Sequence, residues 1–251
     1  MDLRIPRDRV QCLLGRDASS FIDHPEASPT RANIIRTLRG LIDNPQIQFD
    51  DIIVIYFSGH STKYIDTNHQ DLTVSGGSPQ MVQIIEALVP IDEIGEAISD
   101  REINSILTQL SRVKGHRITF IVDSDYRGDF PQYTPDEISR MYRPPSPLPH
   151  NTIFQVRDES ILTNDWRPDT ASHVILSSCR AGLQLSRERV FESGYNGVFT
   201  EALVRILRSG EMTSKSTYVD LMDAIPRLSG QTPWVGGDHR YSLLWSQDPL
   251  Q

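Results

Sequence analysis

The chain has 251 residues, 38% hydrophobic and 23% charged, which is ordinary for a folded globular protein and excludes wholesale disorder. Its 25 basic and 33 acidic residues leave a formal charge of -8, which repels phosphate backbones and disfavours a nucleic-acid partner. No apolar run approaches the ~20 residues needed to span a bilayer, and the opening MDLRIPRDRV does not read as a signal peptide. Cys12 and Cys179 are the only cysteines, too few for a zinc site, so a cytoplasmic, reducing setting is expected.

Short apolar runs alternate with amphipathic segments. Arg9 to Gly15 reads as a first short strand ended by glycine. Thr30 offers an N-cap for a helix carrying Ile34, Ile35, Leu38, Leu41 and Ile42 on one face. Ile52 to Phe57 is continuously apolar and β-rich, the pattern of a strand covered on both faces, and should stop at Ser58-Gly59-His60-Ser61. Residues 61 to 86 read as an excursion off the sheet, followed by a short extended stretch at Ala87 to Asp92. A second helix is expected from Ser99-Asp100 through Val113, with Gly115 past its end.

Ile118 to Asp123 is the next buried strand. Residues 129 to 170 then form one long irregular, proline-containing loop. His173 to Cys179 reads as a strand, Thr200 to Arg208 and Tyr218 to Leu228 as helices, and Tyr241 to Trp245 as a last strand. Such alternation predicts an α/β domain: a mostly parallel sheet flanked by helices on both faces, in three layers. Ligands in these folds sit off the carboxyl ends of the strands. Three candidate segments fall there: Ser58 to Ser61, Asp123 to Gly128, and Ser178 to Gly182.

Each segment supports two readings. His60, on a glycine-opened turn past a strand, suits general-base work near neutral pH, or is a loop histidine bonding locally. Asp123 and Asp125 could hold a cation or an incoming Lys or Arg, or belong to a polar turn. Cys179 is a nucleophile only as a thiolate beside a base, and otherwise a small apolar filler.

These segments together resemble the caspase and metacaspase family of cysteine peptidases, most closely its fungal caspase-domain proteins. The likeness runs from Pro29-Thr30-Arg31-Ala32-Asn33 and Asp51 to His60, through Ala87 to Asp92 and Asp100-Arg101-Glu102-Ile103. It continues in Ser172 to Arg180 and Gly197 to Leu203. The resemblance implies a single caspase-like domain over 1–251: a large-subunit-like part to about 128, the 129–170 loop, and a small-subunit-like part over 171–251. It puts His60 at the catalytic histidine, with Ser58 and Gly59 beside the substrate and Asp123 among the carboxylates that receive a basic P1 side chain. Active members end the nucleophile strand with Asp, two cysteines, His, Ser and Gly. This chain has Asp123, Ser124, Asp125, Tyr126, Arg127 and Gly128 there, which puts Asp125 at the position of the attacking thiol.

A carboxylate so placed cannot form the thioester acyl-enzyme of the mechanism. The expected function is therefore a catalytically impaired, caspase-like pseudo-peptidase that binds and regulates Lys- or Arg-containing peptides or other caspase-like domains, with no nucleic acid and no membrane as partner. The alternative is an active cysteine endopeptidase that pairs His60 with Cys179 and cleaves after Arg or Lys. No cofactor is expected beyond the calcium that family resemblance suggests, for which Asp92 is the one carboxylate that aligns. The family's innermost strand and first helix have no counterpart before Arg9. The edge of Ile52 to Phe57 is therefore expected to pair directly with Arg9 to Leu14, or to be closed by self-association.

Overall fold

The computed structural model describes residues 5–15, 27–65, 84–92, 97–126, 166–179, 188–191 and 194–245. The first helix, α1 (Arg31–Asp43), starts where a hydroxyl can cap it: Thr30 Oγ1 accepts the Asn33 amide. The second, α2 (Asp100–Lys114), is capped in the same way by Ser99, which accepts the Glu102 amide. It ends at Gly115, whose φ of 89° is left-handed and where a Cβ would overlap the Asp50 carboxylate. Lys114, buried at that end, donates its ammonium to the carbonyls of Asn44 and Ile47 and so ties α2 to the turn after α1. Arg31 and Glu102 bridge the two helices at 2.9 Å.

The sheet has six strands: β1 (Ile53–Ile65), β2 (Ile84–Val89), β3 (Ile98–Ser99), β4 (Ile118–Tyr126), β5 (Val174–Ser177) and β8 (Trp234–Gly236). Their order is β3-β2-β1-β4-β5-β8, and four of them run in one direction while β2 and β8 oppose it. Separately, β6 (Glu188–Phe191) and β7 (Gly194–Gly197) form a two-stranded hairpin.

Alternate residues of the parallel ladder supply two cores. Ile53, Ile118, Phe120 and Val122 pack with Ile34 and Leu38 of α1 and with Ile103, Ile106, Leu107 and Leu110 of α2. On the other face Ile121, Val174 and Leu176 meet Phe199, Leu203 and Ile206 of α3 (Val198–Ser209) and Leu221 of α4 (Tyr218–Ala224). The result is the expected three-layer α/β sandwich. Among the described residues no helix is long and apolar enough to cross a membrane.

Several boundaries differ from the sequence expectation. The Arg9 to Gly15 run is no strand: after a 3-10 turn at Arg7–Arg9 its backbone bonds locally and, through Leu14, to Ala27. Leu13 of that run packs against the core, but among the described residues the run has no ladder with the sheet and does not pair with Ile53 to Phe57. β1 does not stop at Ser58 but continues through His60 to Ile65, because β4 offers ladder partners as far as Ser61 and β2 offers them from His60 to Ile65. Nor is β1 covered on both faces, since Val54 and Tyr56 are exposed.

The last strand is Trp234–Gly236, paired with Ile175 to Ser177, while Tyr241 ends a 3-10 turn and Leu243 makes a single bridge to Thr217. α4 ends at Ala224, before Pro226 could break it. The long loop lies outside the described residues up to residue 165.

His173, at the head of β5, is held neutral: burial lowers its pKa from 6.5 to about 4, against the pull of Asp169. The folded value lies below the unfolded one, so this contribution is full above about pH 6.5 and is lost as pH falls through about 4, a change of up to roughly 3 kcal/mol. Asp100 acts oppositely. Burial raises its carboxyl from 3.8 to about 6 although part of the side chain reaches solvent, with the Arg101 amide opposing and Glu86 adding repulsion. Urea unfolding between about pH 4 and 7 should therefore show a steeper acid loss in Asp100→Asn than in the native chain. Adding His173→Gln should flatten it. A His173→Gln profile as steep as the parent would refute the assignment.

Candidate active site

The carboxyl ends of β1, β4 and β5 lie side by side, and the candidate residues sit on them. The ladder pairs Ser58 with Asp123, Gly59 with Ser124, and His60 with Asp125. Neighbouring strands are ~4.8 Å apart, so the backbones of His60 and Asp125 are as close as two strands allow. Sequence reasoning placed the two in one cleft; the register makes them direct neighbours. His60 is half-buried and Ser58 exposed. A Cβ on Gly59 would touch the Phe57 ring at 3.0 Å, which explains a glycine in the middle of this strand.

Asp123 is 4% exposed and has a structural partner that the sequence did not reveal. Its Oδ2 accepts the Thr200 amide at 3.1 Å and, in a short contact, the Thr200 hydroxyl. Thr200 is the third residue of α3, so a carboxylate from a strand end supplies the cap that the helix lacks from Gly197. The unpaired amides and positive end of the helix favour an anion there. Gly197 is required by this arrangement, since a Cβ there would overlap the carboxylate. The Thr200 hydroxyl proton goes to Asp123, so the Tyr56 hydroxyl, 2.8 Å away, donates to Thr200 Oγ1. Tyr56, Thr200 and Asp123 thus form one hydrogen-bonded chain linking β1, α3 and β4.

Cys179 follows β5, so β4 stands between it and the strand that carries His60. Two strand spacings are ~10 Å, beyond a direct thiol–imidazole hydrogen bond without reach from both side chains. Burial pushes the Cys179 thiol up from its ordinary value; a hydrogen bond with Ser178 lowers it, and the Asp123 charge raises it further. A thiol so shifted is poorly populated as thiolate near neutral pH. Its backbone is held firmly, the carbonyl accepting from the Trp234 indole and the Ser177 hydroxyl, each at 2.9 Å. Arg127, Gly128 and residues 180 to 182 of the candidate segments lie outside the described residues.

Asp92 is exposed, and both its oxygens accept the amide of Arg31, the first residue of α1, at 3.0 and 3.2 Å. It therefore caps a helix. Among the described residues no group of three or more His, Cys, Asp or Glu side chains could hold a metal ion.

Comparison with known proteins places this geometry. The metacaspase, peptidase C14 domain model matches residues 7–132, a span holding both His60 and Asp125. The chain belongs to that family. It is 25% identical to Metacaspase-9 of Arabidopsis thaliana over 286 aligned positions, covering 92% of this chain and 82% of that protein. The fold is shared with the crystal structure of protein GSU0716 from Geobacter sulfurreducens, with a TM-score of 0.51 at 20% identity, over 86% of this chain and 80% of that one.

Two outcomes follow from the contacts. Thr200→Val removes the hydroxyl between Tyr56 and Asp123 and should cost about 1–2 kcal/mol in urea unfolding, as loss of a buried cap does. A change within a few tenths would mean that the amide alone satisfies Asp123. In a Cys12→Ser background, which removes the exposed thiol, iodoacetamide alkylation of Cys179 should titrate above the free-thiol value of ~8.5. A midpoint below that value would identify an activated nucleophile.

Proposed function

We propose that this metacaspase-family chain has lost peptide-bond cleavage and acts by binding: it holds peptide segments or partner caspase-like domains without cutting them. The observation that carries the reading is the pairing of His60 with Asp125. Acyl transfer in a cysteine peptidase needs a thiolate within reach of an imidazole that takes its proton. By family resemblance Asp125 holds the thiol's position. A carboxylate is a weaker nucleophile, and no thioester can form on it.

The remaining thiol in this region supports the same reading. Cys179 is separated from the His60 strand by β4, and its thiol is raised by burial and by Asp123. Asp123 itself is engaged by Thr200, so binding of a basic side chain at this carboxylate would have to share it with the start of α3.

The test is turnover of fluorogenic peptides ending in Arg, Lys or Asp, with and without calcium. The native chain should release no fluorophore above buffer, and Asp125→Cys should restore little, because Tyr126 and Arg127 also replace smaller family residues. Cleavage that disappears in Cys179→Ala would overturn the proposal in favour of a peptidase built on Cys179. Calcium-dependent cleavage that survives Cys179→Ala would overturn it in favour of a different nucleophile.

A further inference from the structure

Two imidazoles from distant parts of the chain meet at the amino end of β4. His116 lies between Gly115, where α2 ends, and Ile118, where β4 begins. His239 belongs to the 3-10 turn Asp238–Tyr241 that follows β8. Their ring centroids are 5.3 Å apart and their planes are inclined by 32°. His116 is exposed and His239 half-buried, so the pair is open to solvent. β4 is nine residues long, ~30 Å at the rise of a strand, and Asp125 lies near its other end. The pair is therefore remote from the candidate active site.

One short segment holds both histidines in place. His116 Nδ1 lies 3.1 Å from the Ala171 carbonyl oxygen. A carbonyl only accepts, so Nδ1 carries the proton and a neutral His116 keeps its lone pair on Nε2. Histidines that bind metals are oriented in this way, one nitrogen donating to a carbonyl while the other faces the ion. One residue earlier, the Thr170 carbonyl accepts the Asp238 amide at 2.8 Å, and the Thr170 hydroxyl donates to the Asp238 carboxylate at 3.0 Å. These two bonds fix the turn that bears His239. Gly237, at φ 100°, seats the same turn against β5, where a Cβ would overlap the His173 carbonyl. Among the described residues neither ring nitrogen of His239 has a hydrogen-bond partner, so the ring can turn to present either one.

The spacing of the rings has a chemical reading. An imidazole nitrogen sits ~2.0–2.1 Å from zinc with the ring centre ~1.1 Å beyond it, so two imidazoles on one tetrahedral ion have centroids ~5 Å apart. Neutral imidazole suits zinc and its first-row neighbours, whereas calcium takes oxygen ligands. We propose that His116 and His239 form a two-histidine site for zinc, with water in the remaining positions. Bound there, the ion ties the start of β4 to the turn after β8, across the intervening β5. Two protein ligands are fewer than the three or four of catalytic and structural zinc sites, so binding is reversible, with a Kd on the order of 10–100 µM. The inference rests on the geometry of these two rings, and an active peptidase would leave it standing.

Titration of the full chain with zinc chloride, followed by NMR of 13C-labelled histidine rings, tests it. The Cys12→Ser background removes the exposed thiol as a competing ligand. The ring signals of His116 and His239 should shift together with one common midpoint, on the order of 10–100 µM free zinc. The buried His173 should not move at that concentration, and calcium at about 1 mM should move neither ring of the pair.

His239→Gln should weaken the response of His116 to zinc by about tenfold or more, since one imidazole alone is a poor site. The exposed His116→Gln should do the same to His239, and it serves as the test should His239→Gln not fold. The proposal is overturned if each ring responds to zinc equally well without the other, which would mark adventitious binding to single histidines. It is equally overturned if the two rings titrate with separate midpoints, or if about 1 mM zinc moves neither.

Discussion

The parallel ladder between β1 and β4 fixes almost everything else in the molecule. It runs from Ile53 opposite Ile118 to Ser61 opposite Tyr126 without a break. Because side chains alternate across a strand, one register decides which residues meet α1 and α2 and which meet α3 and α4. A slip by one residue would send Ile118, Phe120 and Val122 to the wrong core. A buried polar contact opposes that slip: Thr119, with no exposed surface, accepts the Trp245 indole at 2.9 Å and pairs with the Tyr218 hydroxyl at 2.9 Å. Displacing it would leave three buried polar groups unsatisfied.

The same ladder delivers the site. His60 and Asp125 are neighbours because they lie the same number of residues past Ile53 and Ile118, and no loop has to bring them together. The chain of hydroxyls from Tyr56 through Thr200 to Asp123 then locks the start of α3 against the ends of both strands. The helix start and the two strand ends are thus one unit. Asp123 and Asp92 each cap a helix across a large sequence separation, so two of the carboxylates first considered for binding have structural partners.

Local signals made much of this fold legible. Thr30 and Ser99 announce α1 and α2, Gly115 and Gly210 mark helix ends, and the apolar periodicity names the residues that enter the cores. What misled was the assumption that polarity ends a strand. Ser58-Gly59-His60-Ser61 looks like a turn, yet the ladder carries it onward, since backbone pairing does not depend on apolar side chains. Arg9 to Gly15 failed in the opposite way: it has strand-like composition but no ladder to join. The Asp123–Thr200 contact spans 77 residues, and no local pattern could have shown it. The reading of Asp125 as the nucleophile position rests on family resemblance alone, because an aspartate at a strand end is ordinary in itself.

That last point separates fold from chemistry. The β1–β4 ladder is made by backbone groups and is indifferent to whether residue 125 carries a thiol or a carboxylate. The two cores lie nearer the other end of the ladder, at Ile53, Ile118, Phe120 and Ile121. Replacing a nucleophile at the carboxyl end of β4 therefore removes a reaction without unsettling the sheet that presents it. Acyl transfer depends on one sulfur and its proton, whereas recognition of an extended chain depends on strand direction, open backbone groups and the shape of the cleft. The proposed function asks of the scaffold only the second set of features, and the ladder supplies strand direction without help from residue 125.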